Sequence, residues 1–408
     1  MSGRSLAQHA AVRPQTGLQL GWAAVPWWGR ALLVFGASRI VTTALFLVVS
    51  SLAQPGSRTG VHPSLGALAM SWDGVWYWSI AFSGYGWPGL TDAAGAVQQN
   101  NWAFLPLYPT LVKALALGDV QAWPRIAPLV SVGFGFGCAV LLALLLRPHL
   151  GPRRAGFAVA IFACSPLSFI LQMAYAESMG LFLLLAALCL IDRNRYWTAI
   201  PVAVALAFTR PGVLALALTV TAHLALRLWR SRRADPVPPL QWSGAIALVV
   251  VAVVAGLAWT VIVGVSTGRP DAYLQTEAAW RSLWMGDAPF ALVTPWFFAA
   301  GFWFGGVAGP VVLVAVLAGF VVLLFVSPVR RLGPLNRLWI ASYGVYLVAV
   351  FFPQSSLFRL LMPMAPLTGA VAPRSAIGRG LVLVGCLAAQ GLWMWCVLGL
   401  PQVYWAVP

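Results

Sequence analysis

Long runs of apolar residues, separated by short clusters of arginine, dominate this chain of 408 residues. A helix of about twenty apolar residues matches the hydrocarbon thickness of a bilayer. With 61% hydrophobic and only 8% charged residues, the chain has too little polar surface to cover a water-soluble globule. The runs are rich in Ala, Leu and Val and lack the alternation of lipid-facing strands, which excludes a barrel. The expected fold is an all-α polytopic membrane protein. The net charge of +16 does not point to nucleic acid, because the arginines lie in small clusters between apolar runs and follow the membrane. Cys138, Cys164, Cys189, Cys386 and Cys396 lack the paired spacing of a metal site or disulfide framework and read as packed thiols. His9, His62, His149 and His223 are dispersed without ligand spacing.

Arginine-rich connections belong on the cytoplasmic face. Six clusters qualify, within residues 4–30, 147–154, 193–195, 227–233, 330–337 and 374–379. They predict a single domain over 1–408 with about eleven spans. Residues 1–30 form a retained cytoplasmic tail, 31–52 the first span, 54–124 a first external loop with interfacial helices, and 125–146 the second span. Hairpins then turn outside near 175–178 and 210–212, a span covers 242–265, and 266–306 is a second external loop. A descent ends near 326, two spans flank an external turn at 353–359, and the last span is 381–400. Residues 104–117 are expected as a surface or re-entrant helix, and 290–306 as an interfacial aromatic helix. Arg39, inside the first span, reads equally as a near-cytoplasmic snorkelling side chain or as a functional cation. On this map Asp73, Asp92, Asp119, Glu177, Asp271, Glu277 and Asp287 are external, and Asp192 and Asp235 cytoplasmic. Acidic residues contribute little to orientation, so this sidedness reflects work done on the external face.

Asp73 stands in Ser71-Trp72-Asp73-Gly74-Val75-Trp76-Tyr77-Trp78, a segment whose aromatic density suits the membrane-water boundary. A helix there puts Trp72 and Trp76 on one face and Asp73 and Tyr77 on the adjoining one, with Gly84 and Gly86 ending it. The acid either caps the helix start or is displayed to a lipid-linked substrate. The pattern Trp-Asp-x-x-Trp-Tyr-x-x-Ile-Ala-x-x-Gly-Tyr resembles the first external loop of the PIG-V family of mannosyltransferases, the GPI mannosyltransferase II group and its bacterial relatives. Further pieces resemble that family in order: Phe104-Leu105-Pro106-Leu107-Tyr108-Pro109; Ser165-Pro166 through Phe169 to Tyr175-Ala176-Glu177-Ser178; Arg210-Pro211-Gly212; and the loop from Gln275 to Trp280. The last third matches mainly in hydropathy and in Ser356-Leu357-Phe358-Arg359-Leu360.

The resemblance implies the GT-C architecture and transfer of mannose from a polyprenyl-phosphate donor to a lipid-linked or protein-linked acceptor on the non-cytoplasmic side, with inversion. It implies a multi-pass protein of the cell membrane whose partners are the lipid donor, a glycolipid or glycan acceptor and membrane lipids. One carboxylate suffices as general base when the leaving group is a lipid phosphate that departs without a proton, and Asp73 is assigned that role. Substrate contacts are expected from Trp72, Trp76, Tyr77, Tyr108, Tyr175, Glu177, Arg210, Gln275, Arg281 and Arg359, with Arg210 and Arg359 favoured over Arg281 and Lys113 as the phosphate's cations. Glu177 is expected to line the site, binding mannose hydroxyls or pairing with Arg210. Many GT-C enzymes place two acids side by side in this loop, whereas Gly74 follows Asp73 here. No cluster of oxygen ligands replaces the missing acid, so no divalent metal and no cofactor are expected. A transporter or flippase, the alternative, should show internal repeats and mid-membrane charges, and no convincing repeat is found. A structural subunit is a third reading, favoured only if Asp73 is dispensable.

Overall fold

The computed structural model describes residues 24–231, 238–281, 291–351 and 353–401. The calls on residues 1–23, Asp235 and Asp287 lie outside them. Among the described residues the chain is helical, with a single isolated bridge between Thr91 and Val97. In chain order the helices are α1 (Trp27–Leu52), α2 (Leu65–Met70), α3 (Asp73–Ser83), α4 (Leu107–Leu115), α5 (Trp123–Leu150), α6 (Pro152–Cys164), α7 (Glu177–Asp192), α8 (Tyr196–Ala207) and α9 (Val213–Ser231). After them come α10 (Pro239–Thr267), α11 (Ala272–Ala279), α12 (Thr294–Phe304), α13 (Ala308–Leu323), α14 (Ser327–Arg330), α15 (Pro334–Val350), α16 (Leu357–Leu360) and α17 (Ala376–Met394).

Five of them, α1, α5, α9, α10 and α17, are long and apolar enough to cross a membrane. The pair α12 and α13 qualifies together but is bent by 119°. Side chains such as Ile40, Val254, Val265 and Leu381 stand exposed along these helices, as lipid-facing positions do. The protein is therefore a helical membrane protein. The other segments expected to span are shorter: α6, α7, α8, α13 and α15 have 13, 16, 12, 16 and 17 residues. Between Arg359 and Arg374, where hydropathy predicts a further span, the chain forms only α16 and a 3₁₀ stretch, Met362–Ala370. Pro363 and Pro366 lie in that stretch, where each removes a backbone donor and blocks a regular helix. In the expected first loop, α2, α3 and α4 have six, eleven and nine residues, all too short to cross. The region expected as a surface helix at 104–117 is α4.

The core lies where α5 packs on α7 and where α10 packs on α8 and α9, with α15 against α9. The break after α6 has a clear cause. Ser165 carries an extended backbone before Pro166, which disfavours helical geometry at the residue preceding proline, and the carbonyls freed there need donors inside an apolar body. Arg39 supplies them: Nη1 donates to Ser168 O at 2.5 Å and Nη2 to Ala163 O at 2.7 Å. Gln390 Nε2 adds a bond to Ser168 Oγ at 2.5 Å. Arg39 is thus buried inside the bundle, correcting the snorkelling expectation. Its pull toward the broken helix outweighs its pull toward headgroups, because bare carbonyls in an apolar core each cost about 1–3 kcal/mol.

Candidate functional site

The break delivers Tyr175 and Glu177 to one end of α7, and three other segments meet them there. Asp73 is the first residue of α3. Trp72 precedes it at φ +58°, a strained setting for a residue other than glycine. The strain is held from outside the helix: the Trp72 indole N–H donates to Val397 O at 3.2 Å, and Arg58 lies 4.4 Å over the ring. Trp72 therefore does not share a helix face with Trp76 as the spacing predicts. The turn points α3 so that the Asp73 backbone N–H donates to the Tyr175 hydroxyl at 3.3 Å. The carboxylate does not cap its own helix. Its Oδ2 accepts from Arg359 Nη1 at 2.7 Å, across 286 positions of sequence.

Arg359 Nε also lies 3.2 Å from Glu177 Oε1, and that same oxygen is 3.3 Å from Arg210 Nη2. Arg210 Nη1 donates to the Tyr77 hydroxyl at 3.5 Å. Glu177 and Arg359 are both buried. The two contacts to Glu177 are charge contacts without hydrogen-bond alignment, and Glu177 Oε2 has no hydrogen-bond partner. Burial works against the charge of Arg359, but Asp73 and then Glu177 outweigh it and hold the guanidinium above its ordinary range. Arg210 behaves alike, burial being outweighed chiefly by Glu177. A glycine makes room for this arginine: a Cβ at position 180 would lie 2.8 Å from Arg210 Cγ. Gly212, at φ +128°, closes the turn that follows.

These groups open into a cavity of about 690 Å³. Asp73, Glu177, Arg210 and Arg359 line it, with Trp72, Trp76, Arg281 and Trp280 around them. Much of the rest of its wall is apolar or aromatic, including Leu181 and Leu184 of α7, Leu206 of α8 and Trp339, Tyr343 and Leu347 of α15. Two charged residues of the lining were left without a role by sequence reasoning, Arg58 and, on the expected second external loop, Glu277. Glu277 pairs with Arg281 at 3.7 Å, and burial pushes its carboxyl up, only partly offset by Arg281 and Tyr273. Its i,i+4 spacing from Arg281 is the one signal that marks it.

Four expected contacts fall outside the cavity lining. Tyr108 is fully buried; its hydroxyl lies 3.0 Å from Ala127 O and 2.9 Å from Ser131 Oγ, and Ser131 in turn donates to Tyr175 O at 3.0 Å. With its ring edge-on to Tyr77 at 5.2 Å, Tyr108 props the site from beneath. Tyr77 and Tyr175 are likewise buried and touch the cavity's charged groups through their hydroxyls or rings; Arg359 lies 5.4 Å over the Tyr175 ring. Gln275 is exposed and stands off the cavity. Lys113, the fourth candidate cation, lies over the Phe82 ring at 5.7 Å, away from the cavity.

No family model matches the chain. No curated protein matches it either. The chemistry is therefore argued from the cavity itself. Among the described residues no three of His, Cys, Asp and Glu gather as metal ligands. The other acids near this end are locally engaged: Asp92 Oδ1 accepts from the N–H groups of Ala94 and Ala96 at 2.9 and 3.0 Å, and Asp119 Oδ1 from that of Gln121 at 2.7 Å. What remains is a cluster in which the buried Arg359 joins two carboxylates at helix starts, Asp73 and Glu177, with the half-buried Arg210 on Glu177, in a cavity whose wall is largely apolar. Such a set can take a proton from a hydroxyl, hold a phosphate in bidentate fashion and shelter a hydrocarbon chain.

Proposed function

We propose that the chain is a membrane glycosyltransferase of GT-C architecture, related to the PIG-V mannosyltransferases, that transfers mannose from polyprenyl-phosphate mannose to a hydroxyl of a lipid-linked or protein-linked acceptor, with inversion. The meeting of Asp73 with Arg359, which Glu177 links to Arg210, at an apolar-walled cavity carries this reading. Asp73 takes the acceptor's proton as the acceptor oxygen bonds to the anomeric carbon. The bond from that carbon to the phosphate oxygen breaks, and its electron pair leaves with the phosphate, whose growing charge Arg210 and Arg359 stabilise. The test is incubation of purified protein with labelled polyprenyl-phosphate sugars and a membrane extract, followed by mass identification of the product. A mannosylated acceptor is the expected result; failure to consume any polyprenyl-phosphate sugar would overturn the reading.

In the same reading the protein sits in the cell membrane with about eleven spans, the shorter helices included, and its cavity faces outward. A helix of sixteen residues is about 24 Å long, so Glu177 and Asp192 lie near opposite faces of the bilayer. Asp192 is 3.9 Å from His149 and adjoins Arg193 and Arg195, and Arg227 bonds to Asn194 at 2.7 Å. The arginine-rich end is thus remote from the cavity, and positive charge marks the cytoplasmic side. Cysteines at exposed Ala94 and Arg153 check the orientation: in intact cells an impermeant thiol reagent is expected to label Ala94→Cys and spare Arg153→Cys.

Gly180→Ala is expected to lower kcat/KM by about tenfold to a hundredfold, since small displacements of a charge-holding group cost this much. Alanine also favours a helix interior by up to about 1 kcal/mol. Activity lost while thermal stability is kept then identifies displacement of Arg210 as the cause.

A further inference from the structure

The phosphate seat on Arg359 is already taken by one of the protein's own carboxylates. Asp73 Oδ2 holds Arg359 Nη1 at 2.7 Å, an ion pair at hydrogen-bond distance with both side chains largely buried. With Oδ2 turned to the guanidinium, that oxygen's hydrogen-bonding position is occupied and is not presented to an acceptor hydroxyl. The residue placed to act as base is therefore held in check by the residue placed to hold the donor. We propose that Asp73 and the donor's phosphoryl group compete for Arg359, so that binding of a polyprenyl phosphate displaces the carboxylate and frees it to act as base. Glu177 is the positioning residue that makes the exchange possible. Its Oε1 contacts Arg359 Nε at 3.2 Å and Arg210 Nη2 at 3.3 Å, and it keeps two like charges side by side after Asp73 has left. This inference rests on the glycosyltransferase reading and adds the order of events within it.

The exchange is favoured along the reaction. A sugar phosphodiester carries one negative charge, and the departing monoester carries two, so the attraction of Arg359 for the phosphate grows as the bond to the anomeric carbon breaks. Asp73 leaves the reaction protonated. Once it has released that proton to water it can reclaim Arg359, which expels the product. Without a donor the carboxylate stays paired, so the base is not offered to water before the sugar arrives.

The test is a titration of the full-length protein, purified in detergent, with a short-chain polyprenyl phosphate, followed by the change in intrinsic tryptophan fluorescence, to which Trp72, Trp76, Trp280 and Trp339 of the cavity lining contribute. Asp73→Asn and, as a second variant, Asp73→Ala are expected to bind the lipid phosphate about tenfold tighter than the wild type. Asp92→Asn removes an exposed external anion that does not line the cavity, and is expected to change affinity less than about twofold. Glu177→Gln is expected to bind more weakly than the wild type although it too removes a negative charge, because Arg210 and Arg359 then repel and separate. Equal or weaker binding by both Asp73 variants, with the wild type binding normally, would overturn the exchange and leave the glycosyltransferase reading standing. Tighter binding by Glu177→Gln would overturn its positioning role. No binding of polyprenyl phosphate by the wild type would overturn the reading and the exchange together.

Discussion

Under the proposed function, Asp73→Asn is expected to lower kcat for sugar transfer by about 10²–10⁴-fold while the protein keeps its fold. The substitution preserves size and leaves a carbonyl oxygen to accept from Arg359, so the hydrogen bond weakens without the guanidinium being bared. What is lost is the oxygen that can take a proton. Thermal unfolding in detergent, measured beside turnover, separates the two effects: a small shift in Tm with turnover lost is the expected pair. Asp73→Glu keeps the base but moves it along a longer side chain, and a partial loss of activity is expected from misplacement. Turnover by Asp73→Asn at the wild-type rate would remove Asp73 from the chemistry and favour a transporter or a structural subunit.

The residues of the site were legible in the sequence because each broke a local rule. Asp73 is a charge among tryptophans, Glu177 and Arg210 interrupt apolar runs, and Arg359 sits in a turn between them. A charge in such a setting must be held by something, and the holders proved to be one another; the pairing of Glu177 with Arg210 was among the expected options. The pairing of Asp73 with Arg359 was not, since nothing local links residues 286 apart. Helix lengths were less legible. Hydropathy reads the stretch after Arg359 as a span although Pro363 and Pro366 break it locally, and the donors that meet its bared carbonyls, the Trp339 indole N–H to Pro363 O and the Tyr343 hydroxyl to Leu360 O, both at 2.8 Å, come from another helix and leave no local signal. Tyr108 shows the same limit from the other side: its motif suggests a substrate contact, while packing places its hydroxyl beside Ser131, which bonds the Tyr175 backbone, and not in the cavity lining.

Arg359→Gln is expected to cost about 3–5 kcal/mol of stability as well as activity, since it leaves the side chains of Asp73 and Glu177, only 13% and 6% exposed, without their shared cation. Arg210 remains for Glu177, so the larger share of the penalty falls on Asp73. A double variant, Asp73→Asn with Arg359→Gln, removes both ends of that ion pair and is expected to recover much of the lost stability while transfer stays absent. The coupling between the two positions, obtained from the four Tm or denaturant midpoints, should be large and of the sign that makes the second change less harmful than the first. Additive losses would mean that Asp73 and Arg359 do not depend on each other in the folded protein, and the cation of the site would then have to be sought at Arg210 and Arg281 alone.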